Sequence, residues 1–201
     1  FFYNTDLMTV ISSPDAKASP LAFLKAFLRN PKSIGAVAPS GQVLAGLMAR
    51  GLGAGQTVLE LGGGTGTLTR GLARAGVTGE RLNVIEMNPD FIQSLRARFP
   101  GARIHDHSAF EIDTLPDDVR DLDAVISGLP LVNMSGDNHR AIMRGSFARL
   151  KPGGYYRQFT YKPRCPISQD VLDAFGLKAT YEGMALRNIP PAFVYRIERT
   201  A

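Results

Sequence analysis

The stretch Thr57-Val58-Leu59-Glu60-Leu61-Gly62-Gly63-Gly64-Thr65-Gly66-Thr67-Leu68-Thr69 decides how the rest of the chain is arranged. Val58-Leu59 is a short apolar run of the kind that forms a buried strand. A carboxylate, Glu60, stands at its end, and glycines follow at positions 62, 63, 64 and 66. From there Leu68, Leu72 and Ala75 recur at helical spacing. A strand that turns into a helix over a glycine loop brings bare backbone amides and a helix N-terminus to a ligand. Only glycine lets the ligand come that close.

Three details narrow the ligand. No Lys-Ser or Lys-Thr follows the glycines, which argues against a triphosphate loop. Glu60 would repel a pyrophosphate and attract a cationic or amine-bearing molecule. A second strand, Leu82-Asn83-Val84-Ile85, ends in Glu86, about 20 residues past the last glycine, where an acidic side chain accepts from ribose hydroxyls. On residues alone, a dinucleotide-binding domain is the alternative. The combination resembles the class I S-adenosylmethionine methyltransferases, whose first motif is commonly Glu-Leu-Gly-x-Gly-x-Gly. The resemblance spans roughly residues 35 to 160. It implies a Rossmann-like α/β fold, with a mostly parallel seven-stranded sheet flanked by helices. It also implies S-adenosylmethionine as cofactor and S-adenosylhomocysteine as product.

Composition sets the outer bounds. A chain of 201 residues, 44% hydrophobic and 20% charged, suits one globular domain with a substantial core. The single cysteine, Cys165, excludes a disulfide framework. His105 and His107 alternate on one expected strand and His139 is remote, so no metal site is expected. No apolar run approaches the length that spans a bilayer. The formal charge of +5 favours an anionic partner, either nucleic acid or an acidic membrane surface.

Residues 1 to 40 read as an arm, an amphipathic helix and a flap, ahead of a methyltransferase domain over 41 to 201. Pro20 opens the helix. Phe23, Leu24, Phe27 and Leu28, with Leu21, fall on an arc of roughly 160° at 100° per residue. Lys25 and Arg29 lie opposite. Such a helix either packs on the domain core or inserts its apolar face beneath lipid headgroups. Next, Pro31-Lys32, Ile34-Gly35-Ala36-Val37 and Pro39-Ser40 form a tight, irregular segment that composition alone leaves as either linker or flap. With Phe27-Leu28 before it, this segment resembles the entrance of bacterial phospholipid N-methyltransferases, which methylate phosphatidylethanolamine. It is also similar, more distantly, to that of rRNA adenine dimethyltransferases. In both families it borders the cofactor and substrate cleft.

Ahead of the cofactor loop, Val43, Leu44, Leu47 and Met48 give a helix over 41–50; beyond it, Glu86-Met87-Asn88-Pro89 closes the second strand and starts another helix that runs to Arg98. In the family Met87 packs on adenine. The third strand, Ala102 to Asp106, leads to His107-Ser108-Ala109 where methyltransferases often have Asp-Ala. Either Ser108 or Asp106 contacts the adenine amino group; register favours Ser108. The fourth strand, Leu122 to Ile126, ends in Ser127-Gly128-Leu129-Pro130-Leu131, which should face the transferable methyl. Adenine-directed enzymes carry Asn-Leu-Pro-Tyr or Asp-Pro-Pro-Tyr here. Leu131 replaces the aromatic, so a base has nothing to stack on. Gly-Leu-Pro-Leu instead resembles the phospholipid enzymes.

Asn138 to Leu150 reads as a helix, with Lys151-Pro152-Gly153-Gly154 as its stop before a strand over 155–160. Gln158-Phe159-Thr160-Tyr161 and Arg187-Asn188-Ile189-Pro190-Pro191-Ala192 again resemble the phospholipid family. Two last strands, near 178–181 and 192–197, form the reversed hairpin that closes the class I sheet. An alkylammonium substrate, with a pKa near ~10.4 like that of Lys, must lose a proton before its nitrogen can attack. Tyr161 is the candidate to hold the amine and relay that proton, with Tyr155 beside it. Lys32, Lys162, Arg187 and Arg196 are candidates for the lipid phosphate, Ser40 for substrate contact. The resemblance implies a phosphatidylethanolamine N-methyltransferase held peripherally on the inner membrane of a bacterium, facing the cytoplasm. An amino-group methyltransferase of RNA or of a small molecule is the alternative.

Overall fold

The computed structural model describes residues 39–200, apart from Arg187 and Ile189. The expected helix with Phe23, Leu24, Phe27 and Leu28, and the flap residue Lys32, lie outside them. Seven strands form one sheet in the order β3-β2-β1-β4-β5-β7-β6. They are β1 (Val58–Leu61), β2 (Leu82–Glu86), β3 (Arg103–Asp106), β4 (Leu122–Ser127), β5 (Leu150–Thr160), β6 (Leu177–Ala185) and β7 (Ala192–Arg199). Strands β1 to β5 pair in parallel, and β7 runs antiparallel to both β5 and β6. This is the expected seven-stranded class I sheet with its reversed hairpin.

Helices α1 (Pro39–Met48), α2 (Thr67–Arg74), α3 (Pro89–Arg98), α4 (Gly136–Arg149) and α5 (Gln169–Ala174) cover the two faces. Because side chains alternate along a strand, β1 feeds both layers. Val58 joins Val84, Ala124 and Ile126 under α1 and α2. Leu59 and Leu61 join Ile85 and Val125 under Ile142, Met143 and Phe147 of α4. Helix α3 starts where expected, with Pro89 in its first turn and the Asn88 side chain accepting from the Asp90 amide.

Four local readings change. Strand β1 continues to Leu61, so Glu60 sits inside the sheet, level with Val84 and Ile126, and not at its end. Helix α1 begins at Pro39, within the segment read as flap. Lys151-Pro152-Gly153-Gly154 does not separate helix from strand. Leu150 already pairs with Leu122, the four residues loop out, and Tyr155 rejoins opposite Ala124. The six-residue α5, too short for a periodic signal, was not expected at all.

The β5–β6 half of the sheet is fastened by Arg157, 3% exposed. Its guanidinium pairs with Glu182 at 2.6 Å and donates to the carbonyls of Met48 and Arg50, both at 2.8 Å. Removing one partner of such a pair strands the other charge, so Arg157→Ala should cost about 3–5 kcal/mol in urea unfolding. A loss within experimental error would contradict the fastening role.

Candidate functional site

The site is assembled at the carboxyl edge of the central strands. After Leu61 the chain enters Gly62 with φ +78°, and the amides of Gly62 and Gly63 both donate to the Ile85 carbonyl, at 3.0 and 3.1 Å. A side chain at Gly62 would be strained in that conformation, and its Cβ would lie 2.8 Å from Leu129 Cδ2. Across the gap, a Cβ on Gly128 would come within 3.1 Å of the Gly62 carbonyl oxygen. The two glycines therefore let the β1 and β4 turns close on each other. Gly63 packs under Val84 and Leu95, and Gly66 enters α2 in the left-handed conformation.

Glu86 ends β2 almost fully buried. Its Oε2 accepts from the Gly64 amide at 2.7 Å, and its Oε1 from the Met87 and Asn88 amides, both at 2.8 Å. A carboxylate offers about four lone-pair sites, so capacity remains for a ligand hydroxyl. Glu60 is different. It is wholly buried, and neither carboxylate oxygen has a hydrogen-bond partner. Burial pushes its pKa up to about 8, against a partial pull from nearby Thr69 and a further push from the Glu86 charge.

Gly62, Gly64, Ile85, Glu86, Met87, His107, Ala109, Gly128, Leu129 and Pro130 line a cleft enclosing ≈ 450 Å³, counting space open to solvent. The expected residues Gly62, Gly64, Glu86, Met87, Ala109, Gly128, Leu129 and Pro130 thus meet in one place. Glu60 lies beneath the loop, outside this lining. Asp106 is exposed at the end of β3, and Ser108 Oγ accepts from the Phe110 amide, closing its own turn. Neither lines the cleft. His107 does, although the sequence singled it out only as a metal ligand to dismiss. Its Nδ1 faces the Asp106 carbonyl and its Nε2 the Thr114 hydroxyl, both at 2.9 Å. The signal that could have found it was position, one residue past a strand end at the ligand edge.

The β4 turn is held from below. Ser127, fully buried, accepts from the Leu129 amide at 3.3 Å. Gln158, also buried, donates to the Leu129 carbonyl at 2.9 Å and accepts from the Tyr156 hydroxyl at 3.2 Å. His139, in the first turn of α4, donates from Nε2 to the Leu131 carbonyl at 2.8 Å. Leu131 is buried in the core, where an aromatic could not stack on a ligand.

Tyr161 follows β5 at the correct edge, 39% exposed and edge-to-face with Phe159 at 5.6 Å. Burial pushes its phenol up, with Asn188 pulling the other way. Lys162 beside it is exposed. Two expected site residues stand elsewhere. Tyr155 pairs with Ala124, three residues below the carboxyl edge, and its ring lies between the guanidinium groups of Arg157 and Arg196, at 4.8 and 4.1 Å. Arg196 is engaged there and by Glu198 at 2.8 Å, which removes both from the cleft. Ser40 is the second residue of α1, but its side chain, like Arg187, lies outside the described residues.

Comparison with known proteins agrees with this geometry. A family model described as a methyltransferase domain matches residues 58–154. The DhpI–SAH complex superposes with a TM-score of 0.64 at 18% identity, covering 92% of this chain and 98% of that one. The 1,6-didemethyltoxoflavin-N1-methyltransferase of Burkholderia thailandensis, solved with its substrate and S-adenosylhomocysteine, superposes at 0.68 with 13% identity, over 100% of this chain and 92% of that one. The chain belongs to the class I S-adenosylmethionine-dependent methyltransferases. It is also 30% identical, over 187 residues, to the ornithine lipid N-methyltransferase of Singulisphaera acidiphila, covering 86% of this chain and 92% of that protein.

The cofactor is S-adenosylmethionine, and the residues present fit it. Glu86 has acceptor capacity for ribose hydroxyls, the Gly62–Gly64 turn offers an approach no side chain obstructs, and the unpartnered Glu60 beneath the loop can give up its proton to a cationic ligand above it. Gly62→Ala should therefore weaken S-adenosylhomocysteine binding about tenfold or more by calorimetry, since the added Cβ displaces Leu129. Glu60 makes a second prediction. Its pKa is raised on folding, so the folded state holds the extra proton and the ligand-free protein loses stability as pH rises from about 4.5 to about 8. The slope should approach ~1.4 kcal/mol per pH unit at most in urea titrations. Glu60→Gln should flatten it; an unchanged slope would reject the buried acid.

Proposed function

We propose that this enzyme methylates the amine of a lipid headgroup, adding up to three methyl groups to phosphatidylethanolamine or its mono- and dimethyl derivatives. The observation that carries this reading is the Ser127-Gly128-Leu129-Pro130 turn. It meets the cofactor loop with small and aliphatic groups, and the next residue, Leu131, is buried in the core. A flat base has no ring to stack on there, whereas a slim alkylamine needs none. The relationship to an ornithine lipid N-methyltransferase supports a lipid acceptor.

When bound, S-adenosylmethionine supplies an activated methyl on a sulfonium. The chain's own task is to aim a neutral nitrogen and exclude water. Gln158 holds the β4 turn, and the Leu129 carbonyl is already occupied by Gln158 and the Leu131 amide, leaving Gly128 to face the amine. Tyr161, just past the carboxyl end of β5, accepts from the amine and passes its proton outward, while Lys162 meets the phosphate. No helix among the described residues is long and apolar enough to cross a membrane. The proposed setting is peripheral, on the cytoplasmic face of a bacterial inner membrane.

Labelled S-adenosylmethionine offered with phosphatidylethanolamine, ornithine lipid or RNA tests the substrate. Label in phosphatidylethanolamine is expected; label in ornithine lipid alone would correct the headgroup, and label in RNA alone would overturn the lipid reading. Tyr161→Phe should lower kcat roughly a hundredfold while S-adenosylhomocysteine affinity stays constant. An unaltered kcat would remove Tyr161 from the proton path.

A further inference from the structure

The two faces of the β6–β7 hairpin are covered unequally. On one face α1 reaches the hairpin, with Leu47 against Gly183. On the other, α5 contributes Val171 and Leu172 to the core around Leu177 and Ile197, and then ends. Above it Tyr181, Met184, Phe193 and Tyr195 have no helix over them among the described residues. Tyr181 is 52% exposed and its ring lies 6.4 Å from Phe193 and 5.7 Å from Tyr195. Leu186, just past the strand, is 69% exposed.

A β-bulge builds this surface. Tyr181 and Met184 are three residues apart, so simple alternation would send them to opposite faces. The register shifts between Tyr181 and Gly183, so Tyr181 pairs with Tyr195 while Met184 pairs with Phe193, which puts all four on one face. The bulged residue, Glu182, turns the other way to meet Arg157. The surface is also level with the site. Ser127 pairs with Gln158, Gln158 with Tyr195 and Tyr195 with Tyr181, in one row across the sheet. At ~4.8 Å per strand, the aromatic surface begins about 10 Å to the side of the β4 turn. Exposed Lys162 and Arg164, neither with a carboxylate at salt-bridge distance among the described residues, border it in the loop leaving β5.

We propose that this face docks on the interface of a bilayer containing anionic lipid, with the aromatic rings at headgroup depth and the two cations on phosphates. The headgroup layer is only ~5–8 Å deep on each side, so an offset of about 10 Å places lipid amines within reach of the cleft while the chains stay in the bilayer. The choice of occupant rests on the lipid reading above; the uncovered, bulge-built face does not.

The chain has no tryptophan, so a Tyr181→Trp variant of the full chain carries one reporter. Mixing with phosphatidylcholine vesicles containing phosphatidylglycerol should shift its emission to shorter wavelength, with little shift for phosphatidylcholine alone. Static emission overturns the docking face, whether or not the vesicles retain the protein. Tyr181→Ser with Met184→Ser should lower vesicle partitioning about tenfold yet keep methylation of lipid dispersed in detergent micelles. Arg164→Glu should remove the preference for anionic vesicles. A folded double variant that partitions as the parent does, or a parent dimer that this variant dissolves, overturns the proposal. Micellar lipid methylated alongside static emission sinks only the docking face; RNA labelled in place of lipid sinks the substrate reading.

Discussion

The Glu86 carboxylate, accepting from the amides of Gly64, Met87 and Asn88, ties the exits of the two adjacent strands β1 and β2 to one point. Charge-assisted hydrogen bonds to a desolvated acid are among the stronger contacts a backbone can make. With the Gly62 and Gly63 amides on the Ile85 carbonyl, they keep the glycine loop splayed over the sheet edge as one wall of the cleft. The rest of the site is placed relative to that loop. The β4 turn closes against it through Gly62 and Gly128, and α2 starts from its last glycine.

Beneath this edge the sheet carries more polar machinery than a plain hydrophobic layer would. Gln158, Tyr156, Ser127 and His139 hold the β4 turn from the core, and each has its hydrogen bond. Arg157 and Glu182 do the same for the far hairpin. A satisfied buried network fixes one arrangement, since any shift leaves groups unpaired in a medium where that is costly. Glu60 is the exception. It keeps its carboxyl unpartnered under the loop, an arrangement that a protonated acid tolerates in the free protein and that favours a cationic ligand above it.

The local sequence determined the elements and the chemistry of the ligand edge. Glycine spacing after an apolar run, an acid closing the next strand and proline at the start of α3 act through nearest neighbours, so they can be read in one dimension. The absence of an aromatic at Leu131 was legible for the same reason. Tertiary structure decided what pairing and burial control. Tyr155 and Arg196 looked like site residues, but strand register sets them below the edge, packed against each other. Glu60 looked like the end of a strand, and parallel pairing on both sides carried the strand past it into the interior. Gln158 and the bulge at Glu182 gained their meaning only from partners distant in sequence, because a hydrogen bond or a register shift depends on which strand lies alongside, and no local pattern encodes that.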